Sequence, residues 1–265
     1  MMFANYHSHT FRCHHADGTE REYIEAAIKG GIKVLGFSDH SPYLFDDGYY
    51  SDYRMRPEET EGYLRTITDL KEEYRDDIEI HVGVEMEYYG RYFEKTVRFL
   101  SDFPCEYLIL GQHYLDSENG SIRTYPGFPT GDPALFRRYI DEAIAGVRTG
   151  LFTYLAHPDL CPFIGDPEIY VSEYRRLCRA LKETGTPGEI NLLGISGNRR
   201  YPSPLFWKTA GEEKIRTVIG ADAHTAGALF DEASYGKALK IASSNGLFAE
   251  NADAPVKLID FKKKI

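Results

Sequence analysis

Seven of the nine histidines lie where a buried strand is predicted to end, and two acidic residues, Glu85 and Asp222, lie at similar points. Histidine is the commonest protein ligand for transition metals, and carboxylates suit such ions as well. One site with so many ligands indicates more than one metal ion, and therefore hydrolysis by metal-activated water. In chain order the nine candidates are His7, His9, His15, His40, Glu85, His113, His157, Asp222 and His224.

Four of these candidates form two closely spaced pairs. His7 and His9 are two residues apart, and so are Asp222 and His224. Residues i and i+2 of a strand face the same side, so both members of a pair can point toward one metal. Either pair alone is also compatible with ordinary core or surface residues. Two pairs near opposite ends of the chain favour a closed barrel that brings them together.

Three further candidates each have a structural alternative. Glu85 ends an apolar run, and a buried carboxylate is costly without a partner. A bridging position between two cations removes that cost, and a salt bridge to an arginine is the alternative. His113 and His157 are each compatible with a hydrogen-bonded core histidine, but together they supply nitrogens for a second metal. His40 follows Asp39, whose carboxylate can orient an imidazole ring.

The remaining histidines are less clearly placed by their spacing. His14 and His15 are adjacent, and only one of them is expected to reach the metals. His81 lies in mid-strand and is predicted to pack in the barrel rather than bind metal. Cys13 lies inside the first histidine cluster and is a weaker, soft candidate ligand.

Short apolar runs alternate with amphipathic stretches, which predicts a parallel sheet covered by helices. The seven predicted strands are 3–7, 33–38, 78–85, 106–112, 152–156, 188–193 and 216–220. The predicted helices are 19–29, 57–74, 132–147, 168–183 and 231–245. Polar candidates follow almost every strand, and a barrel gathers all strand ends into one ring, so a barrel is favoured over an open sheet. Without an obvious linker or repeat, one domain spanning 1–265 is predicted.

Composition restricts the classes of partner. The chain has 31 basic and 41 acidic residues, a formal net charge of −10, which makes it a poor general binder of nucleic acid. Its four cysteines form no CxxC pair, which argues against a zinc finger and for a reducing compartment. With neither a signal segment nor an apolar run of roughly 20 residues, a soluble cytoplasmic protein that does not enter a membrane is expected.

Two loops contain candidate substrate contacts. Arg199 and Arg200 follow the sixth predicted strand, and a guanidinium fork matches phosphate oxygens, although solvated surface charge is the alternative. The long loop 41–56 could cover the substrate, and its Arg54 is a weaker phosphate candidate. Tyr43 in this loop is a candidate to stack on a flat substrate ring, with simple packing as the alternative.

The order and spacing of the candidates resemble the polymerase-and-histidinol-phosphatase (PHP) family along the whole chain. The matching segments are His7-x-His9, His15, Ser38-Asp39-His40, Glu85, His113, His157 and Asp222-x-His224. Segments that resemble the histidinol-phosphate phosphatase branch are Thr10, Cys13-x-His15, Gly18-Thr19 and Ser41-Pro42-Tyr43. The resemblance implies a distorted, TIM-like (β/α)7 barrel with its metal site at the C-terminal ends of the strands. It also implies hydrolysis of L-histidinol phosphate to L-histidinol and phosphate, in histidine biosynthesis.

The resemblance further implies three divalent ions, with zinc, iron or manganese as the metals, and it selects His15 over His14. Its ligand sets are His7, His9, Glu85 and Asp222 for the first ion, Glu85, His113 and His157 for the second, and His15, His40 and His224 for the third.

In the implied mechanism, a hydroxide bridging the first two ions attacks phosphorus in line. The metals, together with Arg199 or Arg200, neutralise the phosphoryl oxygens, and the third ion helps to bind phosphate. Glu85 bridges the first two ions, and Asp222 or Asp17 protonates the leaving oxygen.

One departure leaves the substrate open. In the histidinol-phosphatase branch a basic residue often follows the His-x-Asp-Leu segment, but here His157-Pro158-Asp159-Leu160 is followed by Cys161-Pro162. A nucleotide, a sugar phosphate or a phosphodiester is therefore the alternative substrate. A non-catalytic metal-binding protein is the alternative from a different class. The expected partner is a small phosphorylated molecule, and the sequence does not determine the oligomeric state.

Overall fold

The structure is a computed structural model that describes residues 2–120 and 123–265. The strands in these ranges are β1 Ala4–Asn5, β2 Val34–His40, β3 Glu79–Met86, β4 Tyr107–Leu110, β5 Gly188–Asn191 and β6 Thr217–Gly220. The α-helices are α1 Glu20–Lys29, α2 Thr60–Glu73, α3 Phe93–Ser101, α4 Pro133–Arg148, α5 Pro167–Thr184, α6 Leu192–Ser196, α7 Pro204–Glu213 and α8 Glu232–Ser244. Strands and helices alternate along the described residues as the sequence pattern predicts, except that α5 follows α4 and α7 follows α6 without a strand between them.

The strands curl into a parallel barrel. β1 to β4 form one sheet in sequence order, and β5 pairs with β6. Leu155 connects the two sheets, because it forms parallel bridges with Leu110 of β4 and with Gly188 of β5. The ring closes where Ser8, after β1, forms a parallel bridge with Ala223, after β6. The distorted (β/α)7 barrel is therefore confirmed, with one of its seven strands reduced to isolated bridges.

The predicted strand 152–156 persists as hydrogen bonds on both of its sides. The backbone N–H of Leu110 donates to the carbonyl of Tyr154 (3.0 Å), and the N–H of Ala156 donates to that of Leu110 (2.8 Å). On the other side, the N–H of Leu155 donates to Pro187 (2.9 Å), and that of Glu189 donates to Leu155 (2.9 Å). The segment thus still positions the residue that follows it.

Side-chain amides fasten the seam between β1 and β6. The Asn251 amide donates to the carbonyls of Ala4 (2.7 Å) and Ile219 (2.6 Å), and its oxygen accepts the N–H of Ile219 (2.8 Å). Asn5 accepts the N–H of Ala221 (2.8 Å). These polar groups are buried and hydrogen-bonded, so they hold the seam at little desolvation cost. The seam fixes the ends of the two strands that precede the paired candidate ligands.

Aromatic side chains fill the barrel beneath those strand ends. Tyr6, Tyr107 and Tyr154 are almost completely buried in one cluster. The Tyr107 hydroxyl lies 2.9 Å from the carbonyl oxygens of both Tyr6 and Phe37. A Cβ at Gly36 would collide with this hydroxyl, so β2 requires glycine there. The packed interior gives the site above it a rigid floor.

The helix boundaries follow local capping signals. α1 begins after Thr19, which forms the predicted capping box with Glu22. The predicted strand 188–193 ends early because the Asn191 side chain accepts the N–H of Gly194 (2.9 Å) and caps α6. α3, α6 and α7 were not predicted. In the part of the chain that the structure describes, no helix is long and apolar enough to cross a membrane.

Candidate metal centre

Glu85, near the end of β3, lies at the centre of the histidine cluster. Its Oε2 atom lies 3.4 Å from Nε2 of His7, 3.6 Å from Nε2 of His9 and 3.1 Å from Nδ1 of His40. These histidines come from the end of β1 and from β2, so the register of neighbouring parallel strands brings them to one point. One carboxylate oxygen therefore faces three imidazoles.

The other oxygen of Glu85 faces a different pair of histidines. Its Oε1 atom lies 3.0 Å from Nε2 of His157 and 3.5 Å from Nε2 of His113. Both histidines follow barrel strands on the side of β3 opposite to β2. A carboxylate whose two oxygens face separate groups of nitrogens has the arrangement that a bridge between two metal ions requires.

Asp222 joins the first group from the other side of the barrel. Its Oδ1 atom lies 3.1 Å from Nε2 of His9, 3.5 Å from Nε2 of His7 and 3.4 Å from Nδ1 of His224. The second carboxylate oxygen accepts a hydrogen bond from the Asn191 amide (3.1 Å). Asp222 is therefore held between the first group of ligands and the edge of the cleft.

A third group of imidazoles lies toward solvent. Ligand atoms of His9, His40 and His224 lie within 4.8 Å of one another, and so do those of Cys13, His15 and His224. His14 and His15 are both exposed, but the centroid of the His15 ring lies 5.3 Å from that of His40 and 4.8 Å from that of His224. His14 adopts a left-handed conformation with φ of 65° at the end of a short 3-10 helix. The structure therefore brings His15, rather than its neighbour, to the cluster.

Several polar atoms of this cluster suit metal ions better than hydrogen bonds. Among the described residues, Nε2 of His7, Nδ1 of His40 and Oε2 of Glu85 are buried and have no hydrogen-bond partner. Leaving such groups unpaired costs about 1–3 kcal/mol each. Coordination of divalent transition-metal ions by these nitrogen and oxygen atoms would offset that cost, so the residues fit such ions.

The charges of the cluster are unevenly distributed. Burial disfavours the charged form of His7, but nearby carboxylates, led by Glu189, outweigh burial and hold the pKa of His7 well above its usual value. Burial also opposes ionisation of Glu85, yet the surrounding histidines hold its pKa well below normal. Burial lowers the pKa of His40 and brings that of His224 to about 3. The inner group thus pairs an ionised Glu85 with a protonated His7, whereas His40 and His224 are neutral, the form that binds metal.

Two buried glutamates orient the histidines, and the sequence did not single them out. Glu189 of β5 has its Oε1 atom 2.7 Å from Nδ1 of His7, and its Oε2 atom accepts the backbone N–H of His157 (3.0 Å). Glu87 has its Oε1 atom 2.9 Å from Nδ1 of His113. A carboxylate on the outer nitrogen of a ligating imidazole fixes its tautomer and orientation. The available signal was an acidic residue next to or within an apolar strand.

The other rings are oriented by shorter-range contacts. Backbone carbonyls lie 2.7 Å from Nδ1 of His15 and 3.0 Å from Nδ1 of His224. Asp39 accepts the backbone N–H of His40 (2.8 Å), and its Oδ1 atom lies 3.5 Å from Nδ1 of His9. Asp39 therefore lies beside the His9 ring and the backbone at His40, where its carboxylate can orient an imidazole ring.

The backbone around the ligands is adapted to close packing. His157 and Asp222 have φ of 30° and 50°, in the left-handed region that non-glycine residues rarely adopt. Such strain persists where the surrounding structure fixes it, and it clusters at functional sites. A Cβ at Gly111 would collide with Glu85, and a Cβ at Gly220 would collide with Glu189. The two glycines make room for the central carboxylates.

A cleft of about 370 Å³ opens above the cluster. Tyr53, from the loop 41–56, lines it and lies over His15 with ring centroids 5.2 Å apart and planes at 14°. This loop therefore covers part of the site. Arg199 lines the same cleft and donates to the Tyr201 hydroxyl (2.9 Å), whereas Arg200 is exposed and lies outside the lining. The tyrosines of the lining are Tyr53, Tyr114, Tyr125 and Tyr201.

Three predicted substrate contacts or catalytic groups lie elsewhere. The prediction for Tyr43 is wrong, because its ring is buried against Tyr89 and its hydroxyl donates to the carbonyl of Glu87. Arg54 is also buried and is not available to a phosphate. Asp17 is exposed, and its side chain does not line the cleft. Its backbone N–H donates to the carbonyl of His224 (2.9 Å).

Comparisons with known proteins agree with this geometry. The PHP domain family matches residues 5–192. A probable histidinol-phosphatase of Deinococcus radiodurans is 30% identical over 233 residues, which cover 83% of this chain and 86% of the relative. A histidinol-phosphatase of Bacillus subtilis is 27% identical over 252 residues, with coverage of 83% and 93%.

One solved structure has the same fold over nearly the whole chain. It is a histidinol phosphate phosphatase from Lactococcus lactis in complex with zinc, L-histidinol and phosphate, with a TM-score of 0.75, 19% identity and 98% of each chain covered. At this identity the likeness establishes the fold, and the matches of family and sequence establish kinship. The chain therefore belongs to the PHP domain family.

Proposed function

We propose that this protein is a metal-dependent phosphomonoesterase that hydrolyses L-histidinol phosphate to L-histidinol and phosphate. The observation that carries the proposal is Glu85, whose two oxygens face separate groups of histidine nitrogens at distances of 3.0–3.6 Å beneath an open cleft. The histidinol-phosphatases among its relatives support this substrate.

The proposed ligand sets follow these groups, and all nine candidates take part in three sites. They are His7, His9, Glu85 and Asp222 for the first ion, Glu85, His113 and His157 for the second, and His15, His40 and His224 for the third. Imidazole and carboxylate ligands suit zinc, iron or manganese, so we propose three divalent ions drawn from these metals.

Divalent ions at these positions would supply Lewis acidity, activate water near neutral pH and neutralise phosphoryl charge. The chain's own residues hold the substrate against them. Arg199, at the cleft, can donate to phosphoryl oxygens through a guanidinium that is always charged. Asp222 is a carboxylate of the cleft lining, and it can pass to the leaving oxygen the proton that the attacking water gives up. Tyr53 covers the site and limits the access of bulk water.

A second substrate class is favoured by one observation. Leu160, which lines the cleft, is followed by the buried Cys161 at the point where the histidinol-phosphatase branch often has a basic residue. The lining otherwise offers tyrosine hydroxyls and Arg199, a set that can also hold a nucleotide or a sugar phosphate. Another small phosphate monoester is therefore the alternative substrate for the same metal site.

A phosphate-release assay distinguishes these proposals. Protein reconstituted with zinc, manganese or iron is assayed with L-histidinol phosphate beside nucleotides and sugar phosphates, with chelator-treated protein as the control. A kcat/KM for histidinol phosphate at least tenfold above all others supports the proposed substrate. Preference for another monoester supports the alternative. Absence of turnover in every metal-loaded form, with metal still bound, would refute catalysis and favour a metal-binding protein.

We also propose that the chain is a single domain spanning 1–265, which acts in the cytoplasm on a small phosphorylated molecule. Size-exclusion chromatography with light scattering measures the oligomeric state.

A further inference from the structure

Arg54 is an arginine buried in the loop that covers the cleft. Its side chain is only 2% exposed, and the loop around it is rich in tyrosine. Its Nη1 donates to the carbonyl of Ser41 (2.7 Å), its Nη2 donates to Oε2 of Glu87 (2.9 Å), and its Nε donates to Oε1 of Glu118 (2.8 Å). Each of its nitrogen atoms is therefore engaged, as a buried guanidinium requires.

The position of Arg54 is further restricted by aromatic rings. The guanidinium carbon lies 5.2 Å from the ring centroid of Tyr43 and 5.3 Å from that of Tyr53. The Tyr89 hydroxyl donates to Oε1 of Glu118 (3.1 Å), which fixes the carboxylate beside the guanidinium. A planar guanidinium held by rings and carboxylates in this way cannot be replaced by lysine without loss of hydrogen bonds.

Glu87 connects this buried arginine to the proposed metal site. One of its oxygens accepts from Arg54, and the other lies 2.9 Å from Nδ1 of His113. The opposite nitrogen of His113, Nε2, faces Glu85 at 3.5 Å. The chain of contacts therefore runs from the covering loop, through Glu87, to the outer nitrogen of a candidate ligand.

We propose that Arg54 is a positioning residue, which holds Glu87 so that His113 presents Nε2 to the second metal ion. This inference depends on the metal site of the proposed function, but not on the identity of the substrate. Without the guanidinium, Glu87 would be a buried carboxylate with His113 as its remaining side-chain partner among the described residues. It would then shift, and His113 would lose its fixed orientation.

Charge supports the same assignment. In this buried cluster the single positive charge of Arg54 faces the carboxylates of Glu87 and Glu118. The excess of negative charge adjoins His113, so a divalent ion on its far nitrogen would be attracted. Because Tyr53 precedes Arg54 and its ring lies against those of His15, His40 and His113, the covering loop touches both the second and the third ligand groups.

Zinc affinity tests the proposal independently of catalysis. Wild type, Arg54→Lys and Glu87→Gln are titrated with zinc in competition with a chromophoric chelator, and bound zinc is counted by mass spectrometry. We expect one of the bound ions to bind about 10- to 100-fold more weakly in both variants, because loss of an orienting partner typically has that effect. In excess zinc, kcat should recover more fully than it does at limiting zinc.

Arg216→Lys is the matched control. Arg216 makes a bidentate contact with Glu250, with both distances at 2.6 Å, at the start of β6 and away from the cleft. Its replacement should leave zinc affinity unchanged. If Arg54→Lys and Glu87→Gln lower the melting temperature but bind zinc as wild type does, Arg54 has only a structural role and the proposal is overturned.

The role of Arg54 can still be tested if one of the variants does not fold. If Arg54→Lys fails to fold, Glu87→Gln, which keeps a side chain of the same shape, decides the outcome. If wild type binds zinc but releases phosphate from none of the substrates tested, the proposed function fails. The zinc titration then still confirms or overturns the role of Arg54.

Discussion

Glu189 is buried beside His7, with its Oε1 atom 2.7 Å from Nδ1 of the imidazole. Its other oxygen accepts the backbone N–H of His157 (3.0 Å) and the amide of Asn191 (2.9 Å). One carboxylate in β5 therefore orients a proposed ligand of the first ion and the backbone of a proposed ligand of the second.

Replacing Glu189 should weaken the metal site without removing a ligand. In Glu189→Gln the charge that orients His7 is lost, and we expect zinc affinity and kcat/KM to fall by about 10- to 100-fold. Zinc competition and phosphate release measure the two effects. Glu61→Gln, on the exposed first turn of α2, is the control and should behave as wild type. Unchanged zinc binding in Glu189→Gln would contradict the orienting role.

We expect position 111 to require glycine because no side chain fits there, and not because the backbone must be flexible. A Cβ at this position would collide with the Glu85 carboxylate, which is packed within the ligand cluster. We expect Gly111→Ala to displace Glu85 and to reduce the amount of bound metal, with activity falling at least tenfold. Metal analysis after dialysis and a phosphate-release assay provide the measurement.

A second glycine gives the control for this substitution. Gly62 lies within α2, and a Cβ there would meet no atom within 4 Å. Gly62→Ala should keep full metal content and raise stability by about 0.5–1 kcal/mol, because alanine favours the helix. If Gly111→Ala binds as much metal as Gly62→Ala, the steric explanation is wrong.

The positions of the candidate ligands could be predicted because each follows an apolar run in a chain of alternating strands and helices. In such a barrel, the residues at the C-terminal ends of the strands all lie on the same face. The failures have specific causes. The segment after Leu151 forms isolated bridges to β4 and β5 instead of a continuous strand. Asn191 ends β5 early because its side chain caps α6. α7 had a start signal, Ser203-Pro204, that the prediction overlooked.

The burial of individual side chains was harder to predict. Arg54 and Tyr43 lie in a loop with many polar residues, a composition typical of a solvated segment. They are buried because Glu87 and Glu118, distant in sequence, supply partners for the guanidinium. Glu189 was missed for a similar reason, since its partner His7 is separated from it by 182 residues along the chain. Such pairings depend on tertiary contacts that periodicity does not contain.

The two adjacent arginines after β5 should have different effects on catalysis. Arg199 lines the cleft, whereas Arg200 is exposed outside it. Loss of a hydrogen bond from a charged donor costs about 1.5–3 kcal/mol, so Arg199→Ala should lower kcat/KM for phosphate monoesters by roughly 10- to 100-fold. Arg200→Ala should change it by less than about twofold. Steady-state kinetics with saturating metal measure both, and equal losses would contradict the assignment of Arg199.

His81 lies away from the metal centre, near the other end of β3, as predicted for a histidine that is not a ligand. Its Nδ1 lies 2.6 Å from Glu106 and its Nε2 lies 2.8 Å from Glu79, and Lys71 and the Tyr6 ring are its other charged or titratable neighbours. Burial lowers its pKa, but the two glutamates outweigh burial and the repulsion from Lys71. The pKa of His81 is therefore raised above the ordinary value of 6.5.

This shift predicts how stability depends on pH. Because His81 binds its proton more tightly in the folded protein, its contribution is fully present below pH 6.5 and is lost as the pH rises through the raised, folded-state pKa. His81→Gln should therefore lower the free energy of unfolding more at about pH 6 than at about pH 9. Urea denaturation of both proteins in chelator measures this difference, in which the contributions of the metal-site histidines cancel. An equal loss of stability at the two pH values would show that the contacts with Glu106 and Glu79 do not hold the proton.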